Sequence, residues 1–453
     1  MIRRIGTYGI VLCAVCLICQ QSYAQDVGIK LPKFEAPKPA TIGHVPIVGF
    51  QGMSDVWGMP TPFYYQGMRT ANPLAVWQND QALIARHQAQ MQEMFREFSN
   101  NNTISYEFPS KDHLLGAQAY KQAYEELRGM LDGETPLDLK KAIFAVENAY
   151  FNNQGRFEDF DRRIKDLAKL TSDYIDQQGW DRSNPVTSLL AVHKLFADTL
   201  KIDQAGVEDA IVHYPIEYDF NDFWGREELS NVFVSKVLAT GSGQCYSMPQ
   251  LYLLLAEELG SKAWLSFSPN HSFIKFKDQD EQWYNLELTN GNLVSENWVM
   301  ASGYVATETI QNGIYLDTLS TKETIASKMV DLALGFSYKY GYDDFVMKAV
   351  DKALEHHPEN IGGILTKANY YTHLVKYIAE QKGNPINDEY LADRYARSIL
   401  IMRERMYNLI DNTGYQHMPA DAYIDWLGSL DEYEAEQEKN KANINPDRTK
   451  NDH

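Results

Sequence analysis

The alternation of apolar and polar positions divides the chain into helical and sheet-forming stretches. Across residues 79–199 apolar side chains recur at helical spacing. The clearest run places Leu139, Ile143, Val146 and Tyr150 on one face, behind Thr135-Pro136, where a cap and a first-turn proline are expected. Two further helices fit residues 157–178 and 186–199. Near Lys201 the period changes. One helix is expected to begin beside Cys245 and run to about Leu259, with Pro249 in its first turn and Gly260 at its stop. Strand-like runs follow at 263–267, 271–276 and 283–288, with Pro269, Asp278 and Asp280 supplying the breaks. From Lys322 to about Leu427 the pattern is helical again. The mixture defines an α+β chain.

The two ends read differently. Arg3 and Arg4, an apolar stretch from Ile10 to Ile18 and the small residues of Ser22-Tyr23-Ala24 have the layout of a cleaved secretory leader, 1–24. Its apolar core is too short to span a bilayer, and no later stretch reaches the roughly 18 apolar residues of a membrane helix. Cys13, Cys16 and Cys19 follow Leu12, Val15 and Ile18, which disfavours a lipid anchor, for which a small residue would precede the cysteine. An exported protein, periplasmic or secreted, with no transmembrane segment after cleavage is expected. Residues 25–78 are rich in proline and aromatics without a sustained period and are expected to form an irregular arm. Residues 434–453 are charged and are expected to be a disordered tail. The intervening domains are expected at 79–200 (helical), 201–315 (the α+β core) and 316–433 (helical). In the last, Ala353, Pro358, Ala368 and Tyr371 fall where a tetratricopeptide boundary would place them, as they also would in two packed helical hairpins.

Charge and cysteine usage narrow the function. The net charge is −19, and it falls to −21 when Arg3 and Arg4 leave. A chain this acidic, with no basic stretch, argues against nucleic acid or anionic lipid as partner. Three of the four cysteines leave with the leader, so Cys245 remains alone in a compartment where cysteines usually pair. It is either an inert buried thiol or one retained for chemistry. No metal or nucleotide motif is present, and neither metal nor other cofactor is expected. His356-His357 are adjacent, cannot face one ion from a helix, and are expected to be solvated residues at a helix end.

The segment Gly241-Ser242-Gly243-Gln244-Cys245-Tyr246 places Cys245 at a helix entrance, where unpaired N–H groups favour thiolate and the Cys245 amide can serve as an oxyanion donor. His271 opens a strand after Ser268-Pro269-Asn270. If positions 276 and 282 face each other across the hairpin, His271 lies opposite Glu287, and Asn285 lies opposite Phe273 on the same face. A carboxylate there would set the imidazole tautomer while the other nitrogen meets the thiol. A one-residue slip would send Glu287 to the far face. His213, beside Tyr214-Pro215, is an alternative base without an acid on a neighbouring strand.

These residues carry a resemblance. Gly243-Gln244-Cys245-Tyr246 resembles the Gly-Gln-Cys-aromatic signature of transglutaminases, and Trp283-Tyr284-Asn285-Leu286-Glu287-Leu288-Thr289 is similar to that family's Trp…Asp-x-Thr segment. The likeness covers about residues 205–310, with a weaker one to bacterial proteins joining such a core to tetratricopeptide-like helices. It implies a papain-like transglutaminase-like core flanked by helical regions, with Cys245 as nucleophile, His271 as base and Glu287 as orienting acid in place of the usual aspartate. Gln244, Asn285 and Trp224 are further orienting or oxyanion candidates, Trp224 in the place of the family's tryptophan donor. The implied chemistry is attack on a protein or peptide amide through a thioester, giving hydrolysis, deamidation or acyl transfer. The rival expectation is a catalytically inactive scaffold that grips a protein partner through its helical regions.

Overall fold

The computed structural model describes residues 106–416, apart from 204–209, 223–224, 290, 304, 383–385 and 387, together with 435 and 439. The leader, the arm, the first part of the N-terminal helical region, Trp224 and nearly all of the tail lie outside the described residues. The fold is α+β, and the described residues belong to one compact unit.

Four helices come first: α1 (Ala117–Leu131), α2 (Leu139–Tyr150), α3 (Phe157–Gln178) and α4 (Thr187–Ala197). Helix α2 begins later than Thr135-Pro136 suggested. Asp138 caps it by accepting the Lys141 N–H, and a carboxylate beside orphan N–H groups is a stronger cap than a threonine three residues away. Helix α4 ends at Ala197, because the chain turns into strand β1 (Leu200–Ile202), which pairs antiparallel with β2 (Ile211–His213).

The chain then threads into a short parallel pair, β3 (Glu217–Tyr218) with β4 (Ser242–Gly243), separated by helix α5 (Val234–Thr240). Helix α6 (Ser247–Glu258) follows at once, close to the expected span. Four antiparallel strands come next in sequential order: β5 (Trp264–Ser268), β6 (His271–Lys277), β7 (Trp283–Glu287) and β8 (Asn292–Val294). Leu265, Ile274 and Leu286 align on one face and are fully buried on the side that meets α6. On the other face Phe273 packs with Val299, Val305, Ile314, Tyr315 and Leu316. These come from a segment that includes the short helices α7 (Glu296–Ser302) and α8 (Thr307–Gln311). Both faces are covered, so β6 is buried almost throughout rather than alternating. Even Lys275 lies inside, donating to Glu296 at 2.7 Å and to the Leu316 carbonyl at 2.9 Å.

The C-terminal helices are α9 (Thr321–Tyr340), α10 (Asp344–His356), α11 (Ile361–Gln381), α12 (Asp388–Ala392) and α13 (Arg394–Asn412). Helix α9 starts at a capping box, Ser320 with Glu323, and is buried on nearly every side. It packs against α1, α2 and α10, so the first and last helical regions form one layer around it. Among the described residues no helix is long and apolar enough to cross a membrane.

His356 and His357 correct the expectation of a solvated pair. His356 meets Asp132, and His357 is buried against Asn360, where burial pushes its ring proton affinity down. The turn between α10 and α11 folds back on α9, where Asn360 bonds Ser327, and covers His357, while the C-terminal end of α1 meets His356.

Gly243 sits where α5 and α6 converge on β4. An added Cβ would lie 2.7 Å from Val237 Cγ2, 2.9 Å from Ser247 Oγ and 3.0 Å from Met248 Cγ. Gly243→Ala is therefore expected to cost about 1–3 kcal/mol, read from urea denaturation; an unchanged midpoint would mean the strand has slack that the packing denies.

Candidate functional site

Cys245 stands two residues before α6, and the backbone that delivers it is held at several points. Glu217 and Asp219 donate their N–H groups to the Gly241 and Gly243 carbonyls, and Lys236 pairs with Asp219 beside them. The Ser272 hydroxyl donates to the Cys245 carbonyl, tying the cysteine peptide to β6. Among the described residues the Cys245 N–H takes no hydrogen bond. The residue is 8% exposed, nearly covered but not sealed.

The β5–β6 connection is the two-residue turn Pro269-Asn270, closed by the Ser268–His271 pair. Asn270 takes φ +60°, a left-handed conformation that asparagine tolerates better than most side chains. The turn sets the Asn270 carbonyl 3.9 Å from Cys245 Sγ and makes His271 the first residue of β6.

His271 Nε2 is hydrogen-bonded to Glu287 Oε2. Nδ1 is then the ring nitrogen left over, and the Cys245 sulfur lies near enough to the imidazole to raise its proton affinity. Burial by itself would push the imidazole toward neutrality. The Glu287 carboxylate and the Cys245 sulfur overcome it and hold His271 well above its ordinary value. Burial would likewise raise Glu287, but the imidazole charge, the hydrogen bond from His271, and the Thr289 N–H and hydroxyl bring it below the usual carboxylate range. Glu287 Oε1 accepts those two Thr289 groups at 2.9 and 2.7 Å. The carboxylate is 3% exposed, whereas the imidazole is 24% exposed, so the acid is buried behind a base that reaches the surface.

The pair forms in a different register from the expected one. Phe276 faces Tyr284 and Lys275 faces Asn285. The strands are thus offset by two residues, which places Glu287 diagonal to His271 rather than opposite. The physical reason is the turn: Asp278 accepts the N–H groups of Asp280 and Gln282, and Glu281 adopts φ +60°, giving a five-residue loop that closes at the Lys277–Trp283 pair. An even offset keeps every side chain on its face, so the two residues still meet, and the length of glutamate spans the diagonal.

The other candidates separate. Asn285 is buried, donates to the Val294 carbonyl at 3.3 Å, and lies opposite Lys275 instead of Phe273. Gln244 is fully buried; Ser247 Oγ lies 3.4 Å from its Oε1, and its Nε2 has no partner among the described residues. His213 bonds the Leu195 carbonyl at 2.9 Å, and burial lowers its proton affinity. Trp224 lies outside the described residues. Ser272 and Thr289 were not singled out from sequence as supports. The Glu-x-Thr spacing was a local signal for Thr289, since a hydroxyl two residues on can close on a carboxylate, whereas Ser272 carries no local signal. Asp132, Glu355 and His356 bring three ligand-type atoms together, but Lys352 and Arg128 already pair with those carboxylates.

The site therefore brings a sulfur, an imidazole and a buried carboxylate together, with the carboxylate fixing the ring's orientation. Comparisons with family models, curated proteins and solved structures return no match, and the functional reading rests on this geometry.

A pH signature follows. His271 is held above its ordinary 6.5, so its share of the pair's stabilisation is complete below pH 6.5 and is lost as pH rises through the raised value. Glu287 is held below 4.5, so its share is complete above pH 4.5 and is lost as pH falls through the lowered value. The stability of the unaltered chain relative to the apolar double replacement His271→Phe/Glu287→Leu is expected to be greatest between those two pH values and to decline on either side. Urea denaturation across a pH series checks this; a flat difference would mean that the pair is not coupled to folding.

Proposed function

We propose that the chain is an exported cysteine enzyme of transglutaminase-like type, acting on protein or peptide amides through a thioester. The observation that carries the reading is the Cys245–His271–Glu287 arrangement, with one imidazole nitrogen on a buried carboxylate and the sulfur close to the ring. The Cys245 N–H, which makes no hydrogen bond among the described residues, adds support as an oxyanion donor. Export belongs to the same proposal and rests on the leader-like residues 1–24 and the single cysteine left after them.

In this mechanism the sulfur attacks the amide carbon with its proton already resting on the charged His271. The carbonyl oxygen becomes an oxyanion that takes the Cys245 N–H. His271 then returns the proton to the leaving nitrogen, ammonia or an amine departs, and a thioester remains. Water, deprotonated by His271, attacks the thioester and yields the carboxylic acid and the free thiol. A lysine amine in place of water would give a crosslink. Hydrolysis ranks first because water is always at hand and no amine-selecting feature is evident. Glu287 keeps the ring oriented and offsets its charge in both half-reactions.

The test uses iodoacetamide alkylation of Cys245, followed by mass spectrometry, and ammonia release from glutamine-containing peptides. Alkylation at neutral pH is expected to be fast and to slow by about 10-fold or more in His271→Ala. Turnover is expected to vanish in Cys245→Ala and to fall by about 10²-fold or more in Glu287→Gln. Alkylation no faster than that of an ordinary thiol, with no ammonia released, would sink the enzyme and favour a scaffold that binds a protein partner through its helical layer.

A further inference from the structure

A second polar cluster lies behind the nucleophile, and the triad does not use it. Lys328 of α9 is 3% exposed. It donates to the Tyr246 hydroxyl at 2.5 Å and to Gln250 Oε1 at 2.8 Å, and it pairs with Asp331. Its ammonium also lies 4.2 Å from the centre of the Tyr246 ring. The Tyr246 hydroxyl in turn donates to Asp331 Oδ2. Gln250 closes the circuit, donating at 3.0 Å to the Tyr246 backbone carbonyl.

Tyr246 immediately follows Cys245. Its hydroxyl and its carbonyl are both held by this one cluster, while Ser272 holds the Cys245 carbonyl from the sheet side. The Cys245–Tyr246 and Tyr246–Ser247 peptides that follow the sulfur are thereby clamped between α9 and β6, while the preceding Gln244–Cys245 peptide, which carries the Cys245 N–H, is tied to α6 by the Met248 N–H on the Gln244 carbonyl. A cavity of about 30 Å³ lies beside the ring, lined by Tyr246, Gln250, Lys328, Asp331, Glu147 and apolar neighbours. A buried ion pair is weak evidence for stability in itself, so its placement at this junction calls for another account.

We infer that Lys328 is a positioning residue for the nucleophile: through Tyr246 it fixes the Cys245 backbone so that the sulfur meets His271 and the amide faces the site. The inference rests on the proposed cysteine chemistry. It assigns the C-terminal helical layer a part in that chemistry, because an element outside the sheet and the α6 helix sets the reactivity of Cys245.

The experiment measures Cys245 alkylation by iodoacetamide across a pH series in the full mature chain and in Tyr246→Phe, Lys328→Met, Lys328→Arg and His271→Ala. Tyr246→Phe keeps the ring and removes only the hydroxyl, so it answers the question even if Lys328→Met does not fold. With fast, His271-dependent alkylation in the unaltered chain, Tyr246→Phe and Lys328→Met are expected to react about tenfold more slowly at neutral pH. Their pH–rate profiles are expected to differ in shape from that of the unaltered chain, with Lys328→Arg partly restoring the rate. A purely structural cluster would lower the melting temperature and leave the profile in place. If Tyr246→Phe alkylates at the unaltered rate while His271→Ala remains slow, the positioning role is wrong and the cysteine chemistry stands. If the unaltered chain reacts no faster than His271→Ala, both are overturned.

Discussion

The contact between His271 and Glu287 constrains the rest of the site. A carboxylate this deeply buried is costly unless a charge and hydrogen bonds meet it, and here the imidazole takes one oxygen and Thr289 the other. Satisfying it requires β6 and β7 to keep an even register, the loop over 278–282 to close at Lys277–Trp283, and the turn after Glu287 to stay in place. That last turn is secured from outside the sheet, where His193 of α4 reaches the Gly291 carbonyl at 2.8 Å. A helix from the N-terminal region thus helps to place an acid on the sheet.

Cys245 is placed by convergence rather than by one element. Gly243 allows α5 and α6 to approach β4, Ser272 reaches back from the sheet, and Lys328 reaches in from α9. Each anchor comes from a different part of the chain, and all three act within a few residues of Cys245. Cys245 is nearly covered, and its backbone is held from behind. Such an arrangement gives the side chain a fixed direction.

Much of the site was legible before the fold was seen, and the reasons are local. The helix-entrance position of Cys245 follows from Pro249 and Gly260. The strand positions of His271 and Glu287 follow from period-two alternation and the polar breaks at Pro269 and Asp278. The diagonal offset was not legible, because hairpin closure depends on how Asp278 and Glu281 share the turn, and several closures suit the same letters. Its parity was not fixed by alternation either, since both faces of the sheet are covered and β6 is buried almost throughout. His356 and His357 were misjudged for a related reason: the polarity of a helix end says nothing of what folds over it.

By itself, then, the sequence determined the helix that follows Cys245, the strands β5 to β7 and the helical character of the regions on either side, that the chain is α+β, and that one cysteine, one histidine and one glutamate stand at the ends of neighbouring elements. Those properties depend on spacings of a few residues, which short-range sterics and solvation control. Only the tertiary structure decided that Glu287 meets His271 on the diagonal, that Ser272 and Thr289 support the two ends of the constellation, and that Lys328, more than eighty positions beyond Cys245, closes on the tyrosine beside it. Such contacts arise from packing layers whose partners lie far apart along the chain, and no local period encodes which buried donor will find which acceptor.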